Sequence, residues 1–269
     1  MNTPEARVTV PAFARKKARG EKIAMLTAYD FPFARLFDQA GIDALLVGDT
    51  MGHVVQGHDT TLPVTLDEVI YHCRMVSRAV RRALVVGDMP FGSYQVSVED
   101  ALRNAVRMMK EGGAHAVKLE GGERMADRIA AFARADIPVM GHVGLTPQSV
   151  HQVGGYRVQG RDDAGHEKVL RDARAVEAAG AFAVVLECVP RALGAEITRA
   201  LSIPTIGIGA GVGCDGQVLV MHDLLGLGEA APPRFVRQYV GLGDVVRRAA
   251  EMYAEDVRQQ KFPGDAESY

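Results

Sequence analysis

Short apolar runs recur along the chain, each followed by glycine or an acidic residue and then by a helical pattern. Eight of these runs are brief and almost continuously hydrophobic, which is typical of parallel strands buried on both faces. They are Ile23–Ala28, Ala44–Gly48, Ala83–Gly87, Ala116–Leu119, Ile137–Gly141, Phe182–Leu186, Pro204–Ile208 and Val218–Met221. Eight strands alternating with helices predict an α/β protein with a closed (β/α)8 TIM barrel. An open doubly wound sheet is the alternative that the same alternation permits.

The segments between the strands carry signals for the start and the end of helices. Thr65-Leu-Asp-Glu68 is a capping box, and it opens a helix that we expect to reach about Arg82. Ser97-Val-Glu-Asp100 opens another helix, which the glycines at 112 and 113 should end. Thr146-Pro147 places an N-cap hydroxyl before a proline that a helix tolerates in its first turn.

Composition and charge narrow the class of protein. The chain has 269 residues, of which 48% are hydrophobic and 24% charged, and no proline- or serine-rich linker divides it. We therefore expect residues 1–269 to form a single domain. A net charge of −2 argues against nucleic acid or an anionic membrane as the main partner. The three cysteines form no Cys-x-x-Cys pair and no apolar run approaches the ~20 residues of a membrane span, so a soluble cytoplasmic protein is expected.

Charged residues follow several of the predicted strands. Strands two and three end in Gly48-Asp49 and Gly87-Asp88, and strand four contains Lys118 and Glu120. A parallel barrel directs the carboxyl ends of all its strands to one face, where this fold places its chemistry. Buried charge at these positions is unfavourable unless a metal or a substrate compensates it.

The acidic residues at these ends predict a metal site. Asp49 and Asp88 could each simply cap the turn that follows, but two neighbouring strands ending in Gly-Asp weaken that reading. With Glu120 on the next strand they form an all-oxygen site for a hard cation, for which Mg²⁺ is the best candidate.

Two further positions suggest acid–base chemistry. Lys118 and Glu120 leave the strand on the same side, either as a buried ion pair or with the lysine neutralising an anionic substrate. Glu187 ends an apolar strand, where a carboxylate can serve as general base or belong to a structural ion pair. Cys188 has no neighbouring base in the sequence, so we expect it to pack rather than to act as a nucleophile. The role of His142 stays open between a core histidine and a residue that supports the site or binds substrate.

One motif misleads. Gly211-Val-Gly-Cys-Asp-Gly216 matches the G-x-G-x-x-G of dinucleotide-binding folds. The residues that follow predict a strand rather than the helix that this mechanism requires, so we reject a dinucleotide site.

The motifs together resemble the ketopantoate hydroxymethyltransferase family over about residues 8–225. They are Leu26-Thr-Ala-Tyr-Asp30, Val47-Gly-Asp-Thr-Met-Gly52, Thr61-Leu-Pro-Val-Thr-Leu-Asp-Glu68, Asp88-Met-Pro-Phe-Gly-Ser-Tyr94, Val117-Lys-Leu-Glu-Gly-Gly122, Gly141-His-Val-Gly-Leu-Thr-Pro147, Leu186-Glu-Cys-Val-Pro190, Ile206-Gly-Ile-Gly-Ala-Gly211 and Asp215-Gly-Gln-Val-Leu-Val220, with His222-Asp223 after them.

This resemblance implies a (β/α)8 barrel of the phosphoenolpyruvate/pyruvate type that assembles as a homodecamer. It implies transfer of a hydroxymethyl group from 5,10-methylenetetrahydrofolate to 3-methyl-2-oxobutanoate, the first step of pantothenate biosynthesis, with Mg²⁺ as cofactor. Another Mg²⁺-dependent oxoacid lyase or mutase of the same barrel type is the alternative.

The resemblance also suggests a role for individual residues. Asp49 and Asp88 would be direct metal ligands that also bind substrate, and Glu120 would complete the metal site. Thr50, where the family commonly has serine, and Lys118 would contact the oxoacid. Glu187 would accept the proton, and Tyr29 would line the substrate pocket.

Overall fold

The eight strands close into one barrel in the computed structural model, which describes residues 7–155, 157–228 and 232–269. Neighbours in the barrel follow chain order, every pair is parallel, and the last strand pairs with the first. The strands are β1 Ile23–Thr27, β2 Ala44–Val47, β3 Leu84–Asp88, β4 Ala116–Glu120, β5 Val139–Gly144, β6 Ala183–Glu187, β7 Thr205–Ile208 and β8 Gly216–Leu219. The predicted (β/α)8 barrel is therefore confirmed, and the open sheet is excluded.

Helices separate the strands and continue beyond β8. They are α1 Val10–Ala18, α2 Phe31–Gln39, α3 Met51–Val54, α4 Leu66–Ala79, α5 Val98–Lys110, α6 Ala126–Arg134, α7 Val150–Val153, α8 Asp163–Ala178, α9 Arg191–Ala200, α10 Met221–Leu225 and α11 Leu242–Arg258. None of the helices in the described ranges is long and apolar enough to cross a membrane.

The chain divides into two compact units. The first ends at Val220 and contains the whole barrel, and the second runs from Met221 to Tyr269. Within the second unit, the N–H of Tyr239, in the segment before α11, donates to the carbonyl of Leu224 in α10 at 2.9 Å. The single domain expected for residues 1–269 stays a prediction.

The capping box of α4 is present as predicted. The N–H of Glu68 donates to Thr65 Oγ1 at 3.3 Å, and the N–H of Thr65 donates to Glu68 Oε2 at 2.7 Å. The helix ends at Ala79, three residues before its predicted end. The reason is a long-range contact, because the carboxylate of Asp38 accepts the main-chain N–H groups of residues 81–83.

The last strand was predicted two residues too late. It spans Gly216–Leu219 instead of Val218–Met221, and Met221 already begins α10. A Cβ on Gly216 would lie 2.5 Å from the carbonyl oxygen of Ile23, so only glycine lets the strand begin so close to β1.

The predicted cap at Thr146 is wrong. The Thr146 hydroxyl makes no cap hydrogen bond, and the segment forms a 3-10 turn, Pro147–Ser149, before the short α7. The N–H of Gln148, which an N-cap side chain would satisfy, donates instead to Glu120 Oε2 at 3.0 Å. A carboxylate from β4 thus replaces the local cap.

Alternate residues of the strands fill the barrel with apolar side chains. The cluster comprises Val8, Phe13, Ile23, Met25, Ala44, Leu46, Leu84, Val86, Ala116, Met140, Ala183, Val185, Ile206 and Val218. Phe13, fully buried, comes from α1 and closes the amino end of the barrel. Ion pairs from Lys16 to Asp43 at 3.1 Å and from Lys17 to Asp215 at 2.8 Å fasten α1 to residues that precede β2 and β8.

Candidate active site

The interior side chains of several strands change from apolar to polar at the carboxyl end. Alternate residues of a strand share a face, so a residue two positions after a core residue also points into the barrel. The pairs of core residue and following polar residue are Val86 and Asp88, Ala116 and Lys118, Met140 and His142, and Val185 and Glu187. In β4 the series continues to Glu120. The polar residues are therefore the top layer of the barrel interior.

This polar layer surrounds a cavity of about 50 Å³. Its lining includes Asp88, Lys118, Glu120, His142 and Glu187 from the strands and Asp49 and Thr50 from the segment after β2. The structure thus brings together six of the seven site residues predicted from the sequence, together with His142.

Asp49, Asp88 and Lys118 form the most buried part of this site. Asp49 and Asp88 are each only 2% exposed, and Lys118 is 3% exposed. Lys118 Nζ lies 2.7 Å from Asp88 Oδ1, and the N–H of Asp49 donates to Asp88 Oδ2 at 3.2 Å. Both oxygens of Asp88 are therefore held, which fixes the plane of its carboxylate.

The site contains more negative than positive charge. Burial raises the pKa of Asp88 to about 7, although the Lys118 ammonium opposes the rise. Burial also raises the pKa of Glu120 well above its ordinary value, again against Lys118. For Lys118 burial favours the neutral amine, but the surrounding carboxylates outweigh it and the pKa of Lys118 rises. One ammonium is therefore opposed by several buried carboxylates, so the ionised site lacks positive charge.

A divalent cation would supply the missing charge. The available donors are carboxylate oxygens, which suit Mg²⁺. In the described part of the chain, no three His, Cys, Asp or Glu side chains are gathered as a ready-made metal cage. Mg²⁺ typically takes one or two protein carboxylates and fills its other positions with water and substrate, a requirement that Asp49 and Asp88 fit. That Glu120 completes the metal site stays a prediction.

His142 links Lys118 to Glu187. Its Nδ1 lies 3.3 Å from Lys118 Nζ, and its Nε2 lies 3.1 Å from Glu187 Oε2. Because an ammonium can only donate, Nδ1 accepts from Lys118, and the ring proton belongs on Nε2, which faces Glu187. Burial and then Lys118 lower the pKa of His142, which keeps the ring neutral. Sequence reasoning left this histidine without a role, and the geometry makes it a support for Glu187.

The backbone after Glu187 is strained. Cys188 has a φ of +47°, a left-handed conformation that is rare for a residue with a side chain. Its N–H donates to the carbonyl of Ile208 at 2.9 Å, so β7 holds this turn in place. Burial raises the pKa of the Cys188 thiol to about 11, which favours the protonated thiol, and the packing role of Cys188 stays a prediction.

The two remaining predicted residues differ in position. Thr50 lines the cavity beside Asp49. Tyr29 is buried just after β1, where its carbonyl oxygen lies 2.6 Å from His72 Nδ1. Tyr29 is not among the described residues that line the cavity.

Sequence reasoning missed Gln148 and Tyr94, which lie behind the carboxylates. Gln148 Nε2 donates to Asp49 Oδ2 at 2.9 Å, and the Tyr94 hydroxyl donates to Gln148 Oε1 at 2.6 Å. Both side chains are buried. Neither residue carries a charge, so the sequence contained no chemical sign of a role at the site. Their positions were the one signal, since Tyr94 ends the segment that starts at Asp88 and Gln148 follows Thr146-Pro147.

Comparison with solved structures shows the fold. A phosphonopyruvate hydrolase in complex with oxalate and Mg²⁺ matches with a TM-score of 0.62 at 14% identity, covering 96% of this chain and 92% of that one. A 2,3-dimethylmalate lyase of the PEP mutase/isocitrate lyase superfamily matches with a TM-score of 0.59 at 19% identity, covering 97% and 90%. Both are distant in sequence.

Comparison of sequences shows the family. A 3-methyl-2-oxobutanoate hydroxymethyltransferase of Syntrophotalea carbinolica is 58% identical over 265 residues, which is 98% of this chain and 99% of that protein. A protein of the same name from Pelobacter propionicus is 56% identical over the whole length of both chains. The model of the ketopantoate hydroxymethyltransferase family matches residues 7–265. The chain therefore belongs to the ketopantoate hydroxymethyltransferase family.

Proposed function

We propose that this protein transfers a hydroxymethyl group from 5,10-methylenetetrahydrofolate to 3-methyl-2-oxobutanoate and so forms ketopantoate, the first step of pantothenate biosynthesis. Family membership and the names of the relatives support this reaction. The observation that carries the proposal is one cavity that combines an acidic cation site with a carboxylate supported by a neutral histidine.

Asp49 and Asp88 would hold Mg²⁺, with Glu120 completing the site. When bound, the cation would polarise the 2-oxo group of the substrate and offset the negative charge of the enolate. The distant phosphonopyruvate hydrolase was solved with oxalate and Mg²⁺, which supports a cation together with a small carboxylate ligand in this type of barrel.

Substrate binding and proton transfer are assigned to separate side chains of the protein. Lys118 offsets the charge of the oxoacid, and Thr50 contributes a hydroxyl beside Asp49. Glu187 takes the proton from C3, and the C3 carbanion, drawn as the enolate, forms the new C–C bond to the methylene carbon supplied by the folate. Both bonds from that carbon to the folate nitrogens break, and water supplies the oxygen of the new hydroxyl. The two nitrogens take up the C3 proton and one proton of water, and tetrahydrofolate leaves. His142, whose Nε2 lies 3.1 Å from Glu187 Oε2, supports Glu187 beside the cavity. Tyr29 lies just after β1 and outside the described lining of the cavity, so its place in the substrate pocket stays a prediction.

The remaining proposals rest on family resemblance. We propose a homodecamer that works in the cytoplasm, with the oxoacid and the folate as its small-molecule partners. Light scattering coupled to size-exclusion chromatography would measure the number of subunits, and a mass other than that of ten chains would overturn the decamer.

The experiment that tests the reaction is exchange of the C3 proton of 3-methyl-2-oxobutanoate in D₂O, followed by NMR with and without Mg²⁺. We expect Mg²⁺-dependent exchange, and ketopantoate after addition of 5,10-methylenetetrahydrofolate. Exchange with no ketopantoate would replace the proposal by another enolising lyase or mutase of this barrel type. Neither exchange nor product from folded, Mg²⁺-loaded protein would overturn the proposed activity.

A further inference from the structure

We infer that Gln148 is a positioning residue that sets the orientation of two carboxylates, Asp49 and Glu120, toward the cation. The inference rests on the cation site within the proposed function. Gln148 itself need not touch the metal or the substrate.

The side-chain amide of Gln148 has a single possible orientation. Its Nε2 lies 2.9 Å from Asp49 Oδ2 and 3.0 Å from the carbonyl oxygen of Met89, which are both acceptors. Its Oε1 lies 2.6 Å from the Tyr94 hydroxyl and 3.3 Å from Gln95 Nε2, which are both donors. Two donated and two accepted hydrogen bonds use the full capacity of the amide. Turning it over would place its oxygen against Asp49 Oδ2 and the Met89 carbonyl, which only accept, so both of those bonds would be lost.

The main chain of the same residue holds the second carboxylate. The N–H of Gln148 donates to Glu120 Oε2 at 3.0 Å, in the place where the Thr146 hydroxyl would have capped the turn. The N–H of Glu120 donates to the Tyr94 hydroxyl at 3.2 Å, so one network contains both ends of Glu120 and the amide of Gln148. Each carboxylate has two oxygens, and fixing one of them fixes where the other points.

The surroundings make this network sensitive to substitution. Gln148 is 6% exposed and, with Glu120, lines a cleft of about 270 Å³, and Glu120 also lines the carboxylate cavity. Removing the amide would leave Asp49 Oδ2 and the Met89 carbonyl without their donor in a place that water reaches poorly. The carboxylate of Asp49 could then rotate, and the cation would lose a preset ligand.

Gln148→Met keeps the length of the side chain and removes every side-chain hydrogen bond. We expect the Kd for Mg²⁺, measured by calorimetry without substrate, to rise about 10- to 100-fold, which is the usual effect of losing a group that orients a metal ligand. The electron paramagnetic resonance spectrum of bound Mn²⁺ should broaden as well, because the ligand geometry becomes less uniform. Gln152→Met is the matched control, since Gln152 is exposed on α7, and should leave both measurements unchanged.

Gln148→Glu separates positioning from simple electrostatics. It adds a negative charge beside the cation site, which by attraction alone would tighten Mg²⁺ binding. It also turns the donor that faces Asp49 into an acceptor, so the positioning role predicts weaker binding. Tyr94→Phe, which removes the hydroxyl from Gln148 Oε1 and from the Glu120 N–H, should raise the Kd in the same direction.

The outcomes distinguish this inference from the proposed function. Suppose that the unmodified protein binds Mg²⁺ and exchanges the C3 proton. If folded Gln148→Met then binds Mg²⁺ with the same Kd, the positioning role is wrong and the proposed function stands. If Gln148→Met only lowers Tm in EDTA, with an unchanged Kd and an unchanged Mn²⁺ spectrum, its role is structural and the inference is likewise overturned. If the unmodified protein binds no Mg²⁺, the proposed cation site is overturned together with the positioning role that rests on it.

Discussion

Glu187 and Asp88 are both carboxylates at the carboxyl end of a strand, yet their surroundings differ. Asp88 is 2% exposed and paired with an ammonium, whereas the side chain of Glu187 is 16% exposed and faces a neutral imidazole. Lys118 and the N–H of Asp49 hold both oxygens of Asp88 in place, whereas Glu187 is the more accessible carboxylate for a substrate in the cavity. At the residue scale, these contacts favour Asp88 as a ligand and Glu187 as the base.

Glu187→Gln should therefore separate binding from proton transfer. The amide still occupies the site but accepts no proton, so we expect C3 exchange to fall by at least about 100-fold. Binding of Mg²⁺ should stay near that of the unmodified protein, because Glu187 is not among the proposed ligands. Exchange by NMR and Mg²⁺ calorimetry measure the two effects.

The chain offers a matched control for this variant. Glu196 forms a similar pair with His166, with Nε2 and Oε2 3.0 Å apart, on α9 and α8 and away from the cavity. Glu196→Gln should keep normal exchange. Near-normal exchange in Glu187→Gln would remove Glu187 from the role of base.

The charged residues of the site could be predicted from the sequence, whereas the neutral Gln148 could not. Asp49, Asp88, Lys118, Glu120 and Glu187 carry charge at strand ends, and charge in an apolar context is visible in a sequence. Gln148 is neutral and satisfied by long-range partners, so no local pattern marks it. Its role depends on β4 and on the segment after β2 lying beside it, which only the closed barrel brings about.

At the element scale, the strands were predictable because a strand that is buried on both faces consists of consecutive apolar residues. The ends of elements were less predictable wherever a distant residue decides them. Asp38 ends α4 early, and Glu120 replaces the cap at Thr146. The first turn of α4 is different, because its cap is built from Thr65 and Glu68 within the same turn.

Thr65→Ala should destabilise the protein through this local cap. Loss of an N-cap side chain typically lowers the free energy of unfolding by about 1 kcal/mol. Thr9→Ala is the control, because Thr9 occupies the N-cap position of α1 without a side-chain cap hydrogen bond. Chemical denaturation should show a lower midpoint for Thr65→Ala alone, and equal midpoints for both variants would contradict the role of the capping box.

A histidine before β4 should make the contact between β3 and β4 sensitive to acid. His115 Nδ1 accepts the N–H of Val85 at 2.9 Å, and Arg7 lies against its Nε2. Burial and then Arg7 lower the pKa of His115 to about 4. In the unfolded chain its pKa is about 6.5, so the folded state disfavours the proton. This contribution to stability is complete above pH ~6.5 and is lost as the pH falls toward 4.

His115→Asn should therefore flatten the decline of stability with acid. The Asn side-chain oxygen can still accept the N–H of Val85 but takes up no proton in this range. Between pH 7 and 5, Tm should fall less in the variant than in the unmodified protein. His58→Asn, at an exposed histidine, should keep the original slope. Equal slopes for all three proteins would show that His115 does not contribute.

At the scale of the barrel, stability and chemistry lie at opposite ends. Apolar side chains, with Phe13 at the amino end, fill the lower layers, and the polar cavity occupies the carboxyl end. This separation is typical of the fold and lets the site keep unfavourable buried charge while the core stabilises it. A change at the amino end should thus alter stability without altering the reaction.

Phe13→Ala tests this separation. Phe13 is fully buried and packs edge-on against Phe182, with ring centroids 5.6 Å apart. Removing a buried phenylalanine typically lowers the free energy of unfolding by about 3–5 kcal/mol, because it removes apolar contact and leaves a cavity. Phe31→Ala, at a ring that is 41% exposed at the start of α2, should lower stability much less.

The decisive measurement compares denaturation with C3 exchange in the same samples. At a temperature where Phe13→Ala is still folded, its exchange rate and its Kd for Mg²⁺ should equal those of the unmodified protein, while its unfolding midpoint is lower. A folded Phe13→Ala variant with weakened Mg²⁺ binding would mean that the amino-terminal core also sets the geometry of the carboxylates. The layers of the barrel would then be coupled, and variants of the cavity would have to be interpreted together with variants of the core.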